Sequence, residues 1–144
     1  VRHATQRGID FIKGWERYRK HPYDAGDGFL TGGYGHVFTA QDPPRDLILE
    51  EAEMLLKKDL FKAECSIIRL VNVFLTDNQF DALVSFTFNV GGAAFQRSTL
   101  RMKINRLEFD DVFDEFMRWT KSRGRIMKGL IRRRKAEALL FLGC

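Results

Sequence analysis

Cysteine and histidine are scarce in this chain. Its two cysteines, Cys65 and Cys144, are too few for a disulfide framework and lack the CxxC spacing of a zinc or redox site. Both read as free thiols. The three histidines, His3, His21 and His36, stand apart rather than at ligand spacing, so no metal site is expected and no cofactor is implied. No apolar run approaches the roughly 18 residues of a membrane span, and no charged-then-apolar signal segment opens the chain. A soluble protein is expected. The chain starts at Val1 rather than methionine, which leaves open a leader or anchor removed upstream. Ser-His-Asp order, a thiol-imidazole pair and a phosphate-cradling GxxxxGK[ST] stretch are all missing, so nucleophilic and phosphoryl-transfer chemistries drop down the list.

The 144 residues suit a single domain, and a 44% hydrophobic content is enough to build a core. The charge is uneven. With 24 Lys and Arg against 19 Asp and Glu the net charge is +5, and no acid occurs between Glu115 and Glu137, where Lys121, Arg123, Arg125, Lys128, Arg132, Arg133, Arg134 and Lys135 fall. Such a run suits a polyanionic partner (nucleic acid, an acidic membrane surface or an anionic cell wall) or else forms a solvated basic face on the last helix.

Apolar residues near helical spacing predict a short amphipathic helix from Thr5 to about Glu16. Residues 22 to 44 interleave glycines with Tyr23, Phe29, Leu30, Tyr34, Val37 and Phe38, the pattern of short strands and tight turns, and read as the only β region. Pro43-Pro44 closes it. Asp46 reads as the N-cap of a long helix whose apolar stripe runs from Ile48 to Leu70. Thr76-Asp77-Asn78 starts another helix, which Gly91-Gly92 stops. Ser98 to Leu107, Phe109 to Lys121 and Gly129 to Leu142 read as further helices. The expected class is α+β: a β lobe at 17–44, a connecting helix at 46–71, and a helical lobe formed by 1–16 with 72–144, all within one domain of residues 1–144. A cleft between the lobes is the expected place for an extended ligand.

Hydrolysis of a glycosidic bond needs a proton donor for the leaving oxygen and, opposite it, a carboxylate that attacks the sugar or activates water. Glu16 suits the first role, because partial desolvation where a helix meets a β lobe raises a carboxyl pKa toward the useful range. A solvated helix-end glutamate is the plain alternative. For the second role Asp24, Asp27 and Thr31 are within reach in sequence, although aspartates in glycine-rich turns commonly cap the backbone and threonine is an ordinary strand residue.

Two blocks carry a resemblance to a known family. One is Glu16 followed by Y-x-D-x-x-G-x-x-T-x-G-x-G-H, matched here by Tyr23, Gly28, Thr31, Gly33, Gly35 and His36; the other is NQFDALVSFTFNVGGAAFQRSTL at 78–100, echoed downstream by FMRWTKSRGRIMKGLIRRRKAEALLF. The chain resembles the phage-type lysozymes, the endolysins of glycoside hydrolase family 24, from about Ile9 to Leu142. The resemblance implies a lysozyme-like α+β fold and cleavage of the β-1,4 bond between N-acetylmuramic acid and N-acetylglucosamine in peptidoglycan. It assigns Glu16 as general acid and Thr31 as the residue that positions water. Val37, Phe88, Asn89, Ser98 and Arg118 match positions of the sugar-binding cleft, with packing the competing role for Val37 and Ser98, and His36 matches a histidine expected to support the sheet. A monomer made in a host cytoplasm that acts on peptidoglycan in the periplasm or wall is expected, with no nucleic-acid partner. From its charge, the basic helix is expected to be attracted to an anionic envelope, with some of its arginines bracing the bundle.

One position departs from the pattern. Where the family carries its aspartate, this chain has Ala25, which can neither polarise water nor stabilise a developing cation. Losing a general base costs about a hundredfold to ten-thousandfold in rate. An engineered knockout, replacement by Asp24 or Asp27, and a transglycosylase or binding protein needing only Glu16 are the readings that follow. Position 32, usually a bulky aliphatic in the family, is Gly32, a change expected to loosen the strand carrying Thr31.

Overall fold

A computed structural model describes residues 1–26 and 28–144. Asp27, one of the aspartates considered above, lies outside the described residues. The chain divides into two compact units, Ile9–Phe61 and a second formed by Val1–Gly8 with Lys62–Cys144. The helices α1 (Gln6–Glu16) and α2 (Leu49–Leu70) each run across a boundary between those segments.

In the Ile9–Phe61 unit, β1 (Arg19–Asp24), β2 (Leu30–Gly33) and β3 (His36–Val37) form an antiparallel sheet in the order β1-β2-β3. Buried Ile12, Tyr34, Phe38, Leu47 and Leu56 supply apolar core on this unit's segments. Gly32 does not leave a gap: a Cβ there would stand 2.9 Å from Phe38 Cε2, so the aromatic ring occupies the space a larger side chain would need. The expected loosening at that position is replaced by aromatic packing. Asp46 is not the N-cap of α2. The helix starts three residues later at Leu49, and Asp46 Oδ1 instead stands 3.0 Å from Nδ1 of His21.

In the second unit, α3 (Asp77–Val90) has a reciprocal cap that matches the sequence reading: Gln79 N–H donates to Thr76 Oγ1 at 3.2 Å, and Thr76 N–H donates to Gln79 Oε1 at 2.9 Å. Gly91 ends it at φ 94°, a conformation that side chains resist, and donates its N–H to Thr87 O at 2.8 Å. The short helices α4 (Gly92–Gln96), α5 (Thr99–Asn105) and α6 (Val112–Met117) and the long α7 (Lys128–Leu142) follow, with a 3-10 turn at Phe109–Asp111. Phe86 on α3 is the aromatic hub, meeting Phe95, Phe116 and Trp119 edge-on at centroid distances of 5.4 to 6.2 Å.

The expected helix from Phe109 to Lys121 stops at Met117, and the next residues form a second sheet that the sequence reading missed: β4 (Lys121–Ser122) pairs antiparallel with β5 (Arg125–Ile126). Arg123 at φ 52° and Gly124 at φ 77° make the tight turn. On α7 the basic face is solvated only in part, and the expected bracing falls to two arginines. Arg133 and Arg134 are 5% and 0% exposed, and both bind Glu137, itself 0% exposed. Two of the eight cations in the run are therefore internal bracing, because a buried guanidinium requires a carboxylate partner.

Candidate functional site

Glu16 is the last residue of α1, and the chain leaves the helix at once through Arg17, which adopts φ 54°. Its carboxylate lies against the turn between β2 and β3. Gly35 in that turn has φ 78°, and a Cβ built on it would stand only 3.0 Å from Glu16 Oε2. The second glycine of the GYGH stretch is thus doubly constrained: its backbone conformation disfavours a side chain, and a side chain would collide with the acid. Glu16 is thus partly buried and held close to the backbone of that turn.

The sheet register places the remaining candidates. Thr31 lies opposite Tyr23 on one side and Val37 on the other, so the three share a row and a face of the sheet. Thr31 is buried, whereas Val37 is exposed. Ala25 follows β1 directly, two residues beyond Tyr23, and is exposed. Asp24 pairs with Leu30, one step along and therefore on the opposite face. Its carboxylate is already used: Oδ1 accepts the N–H of Gly26 at 2.8 Å, an Asx turn that shapes the loop. Among the described residues, the turn thus offers a backbone cap at position 24 and a methyl group at position 25.

His36 ties this sheet to its surroundings. Its Nδ1 stands 2.7 Å from Asp59 Oδ2 on α2, and its Nε2 stands 2.6 Å from Asp42 Oδ2. Burial works against a charged ring, yet the hydrogen bonds to Asp59 and Asp42 prevail and hold the imidazole pKa above its ordinary value. His36 and then Arg45 hold Asp42 below the usual carboxylate range. A second tie joins the helices: Lys13 Nζ donates to Glu53 Oε2 at 3.1 Å and lies 5.4 Å from the centroid of Tyr34. The hydrogen bond to Glu53 raises the lysine pKa despite partial desolvation. Lys13, Asp42, Glu53 and Asp59 were missed as supporting residues, since nothing in their spacing links them to the glycine-rich stretch.

The other sugar-binding candidates are in the second unit. A cavity of about 280 Å³ brings Ser98 and Arg118 together with Arg97, Thr99, Glu115 and Trp119. Ser98 is the N-cap of α5: its hydroxyl donates to Phe95 O at 2.7 Å and accepts Arg101 N–H at 3.1 Å. Arg118 is exposed and donates to Glu115 Oε1 at 3.2 Å. Phe88 and Asn89 sit in the last turn of α3, neither of them lining that cavity, and Asn89 Oδ1 accepts from Arg134 Nη2.

Residues 13–137 match the profile of the phage lysozyme family. The chain is 39% identical over 140 residues to an endolysin of Bacillus phage B103, a match covering 96% of this chain and 53% of that protein. It spans about half the length of that relative. Against an endolysin of Acyrthosiphon pisum secondary endosymbiont phage 1 it is 37% identical, with 96% of this chain and 97% of the other covered. Among solved structures it is similar to the muramidase domain of SpmX from Asticaccaulis excentricus, with 36% identity, a TM-score of 0.89, and coverage of 98% of this chain and 99% of that one.

Proposed function

From the premise that the chain belongs to the phage lysozyme family, we propose that it is a peptidoglycan-degrading endolysin acting on the β-1,4 bond between N-acetylmuramic acid and N-acetylglucosamine. The observation that carries this reading is the seat of Glu16 against Gly35, beside a sheet whose central strand presents Thr31. Protonated Glu16 gives its proton to the glycosidic oxygen as the bond to the anomeric carbon breaks. The leaving sugar departs as a neutral alcohol and positive charge develops on the other ring. The carboxylate left on Glu16 stabilises the charge, Thr31 orients the water that adds to the anomeric carbon, the water's proton passes to solvent, and Glu16 regains its proton from solvent. Val37, and separately Phe88, Asn89, Ser98 and Arg118, are the proposed sugar contacts, with residues 1–144 working as one lysozyme-like domain. The site of action is the periplasm or wall, for host lysis, and the protein acts as a monomer.

Ala25 favours a second reading: a lysozyme fold that grips peptidoglycan with weak or no hydrolysis, or cleaves by transglycosylation with Glu16 alone. Asp24 does not restore the missing group, because its carboxylate caps Gly26 and its side chain leaves from the other face. The deciding experiment compares this chain with Ala25→Asp and Glu16→Gln on purified peptidoglycan, separating reducing from anhydro-muramyl ends. A gain of about a hundredfold or more in Ala25→Asp marks a site short of its carboxylate. Activity untouched by Ala25→Asp and abolished by Glu16→Gln supports chemistry by Glu16 alone. Cleavage that survives Glu16→Gln refutes the assignment of the acid.

A further inference from the structure

Beyond Arg118, which pairs with Glu115, the eight cations from Lys121 to Lys135 divide into two populations with different jobs. Arg133 and Arg134 are consumed by the buried Glu137, as described above. Lys121, Arg123, Arg125, Lys128, Arg132 and Lys135 are all exposed, and none forms an ion pair among the described residues. These six exceed the net charge of +5 on the whole chain, so the positive field is concentrated here. Arg123 at the tip adopts a left-handed conformation, and Met127 N–H extends the ladder by donating to Thr120 O at 2.9 Å. Lys128, Arg132 and Lys135 recur at four and three residues, which puts them on one face of α7.

Charge alone would suit any polyanion, but apolar side chains sit inside the cationic cluster. Ile126 on β5 is 64% exposed and Met127 beside it 45%, bracketed by Arg125 and Lys128. A surface for soluble polyanions gains nothing from holding these side chains in water. Nucleic-acid binders commonly add aromatic rings that stack on bases, and residues 121–135 contain none. Cations surrounding protruding aliphatic groups match a different partner: a membrane interface, where basic residues meet anionic headgroups and apolar tips enter the acyl boundary. We infer that the β4–β5 hairpin and the exposed face of α7 dock the protein on an anionic lipid bilayer, with Ile126 and Met127 as the inserted tip. This surface shares no residue with the proposed catalytic pair Glu16 and Thr31, so its test does not depend on whether the chain cleaves glycan.

The test is partition of the purified chain onto phosphatidylglycerol-containing vesicles, pure phosphatidylcholine vesicles and sonicated duplex DNA at low and high salt. Binding to the phosphatidylglycerol vesicles that weakens with salt, with little binding to phosphatidylcholine, is expected. Each cation near an anionic leaflet is worth about a fivefold factor, so combined Lys121→Gln, Arg123→Gln and Arg125→Gln should lower partition on the order of 100-fold. Ile126→Asn, which removes apolar insertion and no charge, should lower it about tenfold while leaving thermal stability unchanged. No binding to phosphatidylglycerol vesicles at low salt overturns the proposal. So does equally tight DNA binding with Ile126→Asn without effect on either partner, which would mark a general polyanion surface.

Discussion

The His36 bridge makes a prediction that can be worked through with its sign. Both ring nitrogens face carboxylate oxygens, at 2.7 Å from Asp59 and 2.6 Å from Asp42, and only an imidazolium can donate to both. Because its pKa is raised in the folded state, the stabilisation is complete below the unfolded value of about 6.5 and is lost as pH rises through the folded value. Asp42 has the opposite sign: its depressed pKa contributes stability above the ordinary 3.8 that is lost as pH falls. The bridge is therefore strongest in mildly acidic solution. A hydrogen bond between charged partners is worth about 1.5–3 kcal/mol, and since Asp59 is 27% and His36 12% exposed, solvent screening lowers that to about 1–2 kcal/mol. Asp59→Asn keeps the shape and removes the charge. At roughly 3 °C per kcal/mol for a chain of this size, melting followed by circular dichroism should drop by about 3–6 °C near pH 5.5, and by clearly less near pH 9. An equal loss at both pH values, or one that grows with pH, would refute a charged bridge. The consequence reaches the site, since His36 pairs with Gly32 directly beside Thr31.

Gly35→Ala should damage activity more than folding. The left-handed φ of 78° costs about 1–2 kcal/mol with a side chain, while the new methyl must push Glu16 Oε2 from 3.0 Å. Made in an Ala25→Asp background and assayed on peptidoglycan with folded protein matched, it should lose at least about tenfold in rate; full activity would show that Glu16 does not need that seat. Glu137→Gln should remove the buried carboxylate that both guanidinium groups share, at a cost of about 3–5 kcal/mol, visible in a denaturant melt. The exposed Arg132→Gln, a few residues away, should stay within about 0.5 kcal/mol, and a similar loss in both would contradict the division of the basic run.

What was legible in the sequence was local. Thr76 and Gln79 stand three apart and form their reciprocal cap with no help from distant residues, and the glycine spacing of residues 26–35 encodes turns that need positive φ. The reading went wrong where a partner far along the chain decides the outcome. Asp46 looks like an N-cap until His21 competes for its carboxylate. That some arginines of the last helix brace the bundle is legible, but not which ones, because the pattern gives no sign that Ser85 and Asn89 on α3 stand opposite Arg133 and Arg134. The β4–β5 hairpin was hidden because four strand residues around an Arg-Gly turn leave no alternation long enough to detect.

Position 25 joins the two kinds of reading. The motif count marks it as the position where the family pattern asks for an aspartate, but only the register can judge its neighbour. Asp24 pairs with Leu30 while Thr31 pairs with Tyr23, so for Asp24 to face the Thr31 row, β1 would have to slip by one residue. Such a slip would turn every side chain of that strand to its other face and break the Asp24–Gly26 turn. A carboxylate at position 25 requires no such slip, because Ala25 lies just past the last pair of β1, Asp24 with Leu30, and leaves the register as it is. The same substitution therefore tests the register as well as the chemistry: Ala25→Asp should raise cleavage without shifting the melting temperature by more than about 2 °C. A gain of activity accompanied by a large loss of stability would mean that the strand had to move to deliver the group.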